Sequence, residues 1–223
     1  MESRLETSEQ ELAELFWENS GCKGCECHAI RKTLCRGFGN PNADVLFVLD
    51  RMSPQDLSGV NFPSGGGRKA LDLVFDYLGH SIEEFFICPP AGCPSDPLLD
   101  DGASWRRAQI MPTHNKDTLS ACRTLLHEQV RIVEPEIIVA MGSTALKALY
   151  PKKPPTFGSS VGRVLEVPIK GVVSDFNVPV MVTYSPVTLY RTSIGTDPEG
   201  LWEGAIKHIS EAIGLAAAIR DKR

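Results

Sequence analysis

Seven cysteines carry the first chemical signal in this 223-residue sequence. Cys22 and Cys25 form a C-x-x-C pair, Cys93 stands in the run Pro89-Pro90-Ala91-Gly92-Cys93-Pro94, and Cys122 lies near the start of a helical pattern. Four thiolates from three loop or helix-start positions suit a closed site. As a pattern they fit a four-cysteine zinc site and a [4Fe–4S] cluster equally well. Cys27, Cys35 and Cys88 are left over, with Cys27 an alternative to Cys25, and His28 is the histidine beside the cysteines. Read by itself, Cys122 is also a small hydrophobe suited to the apolar face of its helix.

A second set of residues gathers around strand ends. Asp44 to Leu49 is apolar almost throughout, the mark of a strand buried on both faces, and Asp50 and Arg51 follow it directly. Residues 51–67 hold Pro54, Pro63 and the triplet Gly65-Gly66-Gly67, which predicts a loop able to bring its backbone close to a ligand. Phe62 lies within it. Pro89 follows a second strand, Phe85 to Cys88, and Ser185 follows another, Val178 to Tyr184, with Arg191 shortly after.

The elements that must position these residues alternate between strand and helix. Ser8, with Glu11 three residues on, predicts an N-terminal helix over 7–19, and a cysteine-rich loop follows over 22–35. Ala70, Leu71, Val74, Phe75 and Leu78 share a helix face that ends at Gly79. A polar insertion spans 95–116, then Asp117 caps a helix through Val133. Glu136 to Met141 is a strand, Ser143 to Leu149 a short helix, and a last helix runs from Pro198 to Ile219. This order predicts a three-layer α/β/α fold with a central four-stranded parallel sheet, in one domain over 1–223. In such sheets ligands bind at the carboxyl ends of the strands, where Asp50, Pro89 and Ser185 would meet.

Composition narrows the partners. A formal net charge of −5 and a pI near 5.6 rule out a generally basic, polyanion-coating molecule, so any nucleic-acid contact is local. Candidate basic spots are Arg31, Lys32 and Arg36; Arg106 and Arg107; Lys147, Lys152 and Lys153; and Arg163 with Arg191. The longest apolar runs are strand-sized, and the N-terminus lacks the apolar core of a secretory signal. A soluble cytoplasmic monomer is expected, where clustered thiols mean metal or catalysis more often than disulfides.

The order Cys22-x-x-Cys25, ADVLFVLD with a glycine-rich stretch, FFICPPAGC, SAC, EPEIIVAMGSTALKAL and YSPVTLYR resembles the family 4, iron–sulfur uracil-DNA glycosylases over about residues 20–192. The resemblance implies a [4Fe–4S] cluster on Cys22, Cys25, Cys93 and Cys122, with zinc as the alternative, and DNA as the partner. It also implies that Asp50 takes the place of the acid that activates water. Phe62 matches an aromatic that stacks on a flipped base. Two departures stand out. Pro89 occupies the place of a base-reading asparagine, and Ser185 that of a histidine that stabilises the leaving base, while Arg191 keeps the motif's arginine.

Catalytic roles are therefore expected of Asp50 and Ser185, and substrate contacts of Arg51, Phe62, Gly65, Gly66, Pro89 and Arg191. The expected activity is excision of a bulky, modified pyrimidine other than uracil, such as a hypermodified cytosine in phage DNA, as antiviral defence. The alternatives are a catalytically degraded DNA-binding or replication-accessory module and a conventional uracil-DNA glycosylase of base-excision repair.

Overall fold

The structure, a computed structural model, describes residues 2–29, 31–52, 56, 62–94, 114–150, 152–170, 175–192, 197 and 199–222, with side chains from residue 6 onward. Six strands form one sheet: β1 (Phe38–Gly39), β2 (Val45–Leu49), β3 (Phe86–Cys88), β4 (Ile137–Met141), β5 (Val164–Ile169) and β6 (Phe176–Thr183). Their order is β1-β3-β2-β4-β6-β5. The inner four, β3-β2-β4-β6, are mutually parallel, and β1 and β5 add antiparallel edges. The expected central four-stranded parallel sheet is present, and two antiparallel edge strands extend it to six.

The strand sequences explain the layers. In β2 alternate residues point to opposite faces, so a run that is apolar at every position needs cover on both. Val45, Phe47 and Leu49 join one core, while Leu46 and Val48 join the other. Helices α2 (Gly65–Leu78), α6 (Pro186–Arg191) and α7 (Leu201–Arg220) supply residues to the first core. Helices α1 (Glu2–Glu18), α3 (Lys116–Val133) and α4 (Ser143–Leu149) supply the second. A short helix α5 (Phe157–Ser160) precedes β5. Phe47 is fully buried with Phe75 and Phe85 edge-on at centroid distances of 5.2 Å, pairs worth about 0.5–1.5 kcal/mol each beyond their buried area.

Local chemistry shifts several boundaries. Ser8 lies inside α1, with its hydroxyl donating to Asn42 Oδ1 at 3.0 Å, so it ties the helix to the turn before β2 instead of capping. Asn115, not Asp117, caps α3: its side-chain oxygen accepts from the Thr118 amide at 2.8 Å. Gly79 ends α2 in the left-handed conformation as its position predicts. The last helix begins at Leu201 rather than Pro198. The glycine triplet is not a loop, because it forms the first turn of α2. Most of the 95–116 insertion, with Arg106 and Arg107, lies outside the described residues. Among the described residues no helix is long and apolar enough to cross a membrane.

Candidate active site and thiol cavity

The sheet register brings the strand-end residues into one row. Val48 pairs with Cys88, Leu49 with Met141, and Met141 with Thr183. The next residues are therefore Asp50, Gly142 and Tyr184-Ser185, side by side at the carboxyl edge of the parallel strands, with Pro89 level with Leu49, one residue before Asp50. Asp50 is 4% exposed and Ser185 6%. Ser185 Oγ donates to Asp50 Oδ1 at 2.7 Å, and Arg51 Nε donates to Asp50 Oδ2 at 3.0 Å. Both carboxylate oxygens are thus satisfied, as burial of a charge requires. The Arg51 side chain is 22% exposed and carries positive charge from this pair outward.

Gly142 closes the site from the β4 side. Its backbone sits at φ 102° and ψ 168°, a conformation essentially confined to glycine. A Cβ there would lie 2.7 Å from Asp50 Cβ and 3.1 Å from Ser185 Cβ. Its amide donates to the Thr183 carbonyl at 2.9 Å, locking the ends of β4 and β6 together. Sequence reasoning missed this residue. The signal was the glycine immediately after an apolar strand in Met141-Gly142-Ser143, at the same register as Asp50.

The other expected substrate contacts have differing surroundings. Phe62 is buried in the core beneath α2 and lines a cavity of about 1070 Å³ beside β1 with Glu6, Glu9, Arg36 and Glu83, a cavity that Asp50 does not line. Gly66 packs beneath the Tyr190 ring, where a Cβ would come within 2.4 Å of it, so this glycine serves the contact between α2 and α6. Gly65 opens the same helix with φ 65°. Pro89 is buried at the end of β3, and Arg191 is exposed at the far end of α6 from Ser185.

The cysteines converge elsewhere. Cys22, Cys25, Cys93 and Cys122 line one cavity of about 400 Å³, together with Leu15, Leu34 and Leu125. Cys27 turns away to Thr118 Oγ1 at 3.6 Å, which leaves Cys25 as the cavity thiol. Cys35 and Cys88 are core residues, and Cys88 donates to Gln129 Oε1 at 3.4 Å. Burial pushes the Cys122 thiol up to about 12, against a Gly92 backbone hydrogen bond that pulls it down. Burial also raises the Cys93 thiol, opposed by Arg31. The His28 ring bonds the Cys25 carbonyl at 2.6 Å and so lies behind the thiols.

The cavity tests which group fits. A single zinc ion holds four sulfurs about 3.8 Å apart. Among the described residues no three His, Cys, Asp or Glu side chains are already arranged to hold a metal ion. Four thiols lining one cavity are the donor set of a four-thiolate zinc site and of an iron–sulfur cluster alike, and binding either would convert the thiols to thiolates.

A family model described as the Uracil DNA glycosylase superfamily matches residues 36–203, three quarters of the chain. The chain belongs to that superfamily. Membership makes it a DNA glycosylase, an enzyme that hydrolyses the N-glycosyl bond. Its similar relatives include three proteins named type-4 uracil-DNA glycosylase. That of Sulfurisphaera tokodaii is 25% identical over 82% of this chain and 78% of its own. That of Saccharolobus solfataricus is 25% identical over 78% and 74%. That of Archaeoglobus fulgidus is 23% identical over 92% and 94%. Within this superfamily member the matched span holds Asp50, Gly142 and Ser185, whereas Cys22 and Cys25 precede it.

Proposed function

We propose that this DNA glycosylase acts through Asp50, and that it removes a base other than uracil. The observation that supports the first part is the buried Asp50 carboxylate held by Ser185 and Arg51 at the carboxyl edge of the parallel strands. Asp50 orients a water and takes its proton as the oxygen bonds to the anomeric carbon. The C1′–N bond breaks and its electron pair leaves with the base.

The hydrogen bonding changes the part expected of Ser185. A carboxylate only accepts, so the one hydroxyl proton of Ser185 is committed to Asp50. Ser185 therefore accepts from the attacking water and fixes Asp50, and it does not donate to the leaving base. Arg51 takes that second part: its Nε holds Asp50 while the rest of the guanidinium offers cationic donors to the base anion.

The substrate reading rests on Pro89. Where the resemblance predicts an asparagine for reading uracil's edge, a buried proline offers neither a polar side chain nor a backbone N–H. Neither the relatives' names nor the fold carries the bulky pyrimidine or the antiviral role. Cys22, Cys25, Cys93 and Cys122 would hold a [4Fe–4S] cluster, which when bound cross-links the end of α1, the loop after β3 and the start of α3. Its place in the cavity is away from Asp50, so its contribution is to the fold.

The test is to incubate the protein with single- and double-stranded oligonucleotides carrying uracil, hypoxanthine or hypermodified cytosine, then to cleave abasic sites with alkali. Scission on a non-uracil substrate is expected. Scission on uracil alone would overturn the substrate reading, and none at all would overturn the activity of this site.

A further inference from the structure

Arg31 reads in the sequence as part of a basic surface cluster with Lys32 and Arg36, but it is engaged in the thiol cavity. Its Nη1 donates to Cys93 Sγ at 3.3 Å and its Nη2 to the Ser20 carbonyl at 2.6 Å. Ser20 directly precedes the Cys22-Cys25 segment. One planar side chain thus ties together two of the three cysteine-bearing segments, a task suited to the fixed fork of a guanidinium.

The other sulfur contacts are neutral. Cys22 accepts from the Gly24 amide at 3.4 Å, and Cys122 from the Gly92 backbone. The cavity wall is rich in carboxylates, with Glu11, Glu14, Glu18 and Glu128. Arg131 also lines it but is taken up by Glu128 at 2.7 Å and Glu11 at 3.6 Å. Thiolates around a cluster carry net negative charge, and both hydrogen bonds to sulfur and nearby charge set how readily such a cluster is reduced. Arg31 supplies both at Cys93.

We propose that Arg31 is a positioning residue for the cofactor: it sets the reduction potential of the cluster held by the four cysteines and slows its loss. This rests on the cluster reading above. Anaerobically purified wild-type protein is assayed for iron and visible absorbance first, which tests that reading separately. Arg31→Gln and Arg31→Lys are then compared with it by potentiometric titration and by cluster bleaching under a chelator.

Arg31→Gln is expected to shift the potential to more negative values and to lose the cluster roughly 10–100-fold faster. Arg31→Lys keeps the charge but cannot bridge both partners, so its potential stays near wild type while its cluster loss is faster. A merely structural residue would leave the potential unmoved. If Arg31→Gln fails to fold, the Arg31→Lys bleaching rate carries the test. Wild-type potential and bleaching in the folded variants would overturn the proposal, and wild-type protein free of iron would overturn both it and the cluster reading.

Discussion

The strand-end acid site and the thiol cavity hold their chemical groups in opposite ways. Asp50 is placed by the sheet: hydrogen-bonded register fixes the ends of β2, β4 and β6, and Ser185 and Arg51 satisfy both of its oxygens with protein groups alone. The four thiols are placed by loops and helix ends outside the sheet, around a hollow they do not close. The first site draws its hydrogen bonds from the polypeptide alone. The second brings together four thiols, of which Cys93 and Cys122 are buried in a way that resists ionisation, so its order depends on what fills it. On the proposed function, catalytic geometry would come from the sheet, and cross-linking from a cofactor bound by the four thiols.

If that contrast holds, damage to the two regions differs in kind. The largest effect is expected from Cys122→Ala, which removes a cavity thiol: iron content should fall to near background with a lowered melting temperature, as measured by metal analysis and calorimetry. Next is Gly142→Ala. The added methyl meets Asp50 and Ser185 on a backbone that disfavours it, so base release should slow about 100-fold while iron content stays at wild type.

Ser185→Ala leaves Asp50 Oδ1 without its donor. It should cost about 1–3 kcal/mol in chemical denaturation and slow base release about tenfold. The smallest effect lies away from both sites. His127 is neutral in the fold, with its Nδ1 accepting from the Lys170 amide and its Nε2 donating to the Leu149 carbonyl, and burial lowers its pKa. Below its ordinary value of 6.5 the unfolded chain binds the proton more readily, so stability present above that pH is lost as pH falls. The melting temperature should drop between pH 7.5 and pH 5, and His127→Gln should shrink that drop. Burial lowers His208 as well, so part of the drop should survive.

How much of this was legible in the sequence follows from the physics of each element. β2 and β4 could be read because strands buried on both faces are apolar at every position. The edges could not. β1 has two residues, and β5 is half exposed and contains Pro168, so neither has the continuous signal of a central strand. The thiol set came from the family resemblance rather than from spacing, since Cys93 and Cys122 have no diagnostic interval, and the structure put Cys25 rather than Cys27 on the cavity. Arg31 was not legible, because a charged residue among other basic residues looks the same whether it meets solvent or sulfur. The Asp50–Ser185 bond joins residues 135 apart, and only the strand order makes them neighbours. The glycine triplet misled because glycine's freedom favours loops, whereas here Gly66 is required by the closeness of the Tyr190 ring.

On the proposed function Asp50 does chemistry and does not merely cap a strand end. The most direct measurement compares Asp50→Asn with wild type on the same base-bearing oligonucleotide, scoring abasic sites and DNA affinity in parallel. Base release is expected to fall by about 100-fold or more with affinity unchanged, because asparagine keeps the shape but cannot take water's proton. Base release at the wild-type rate in a folded Asp50→Asn protein would contradict the account.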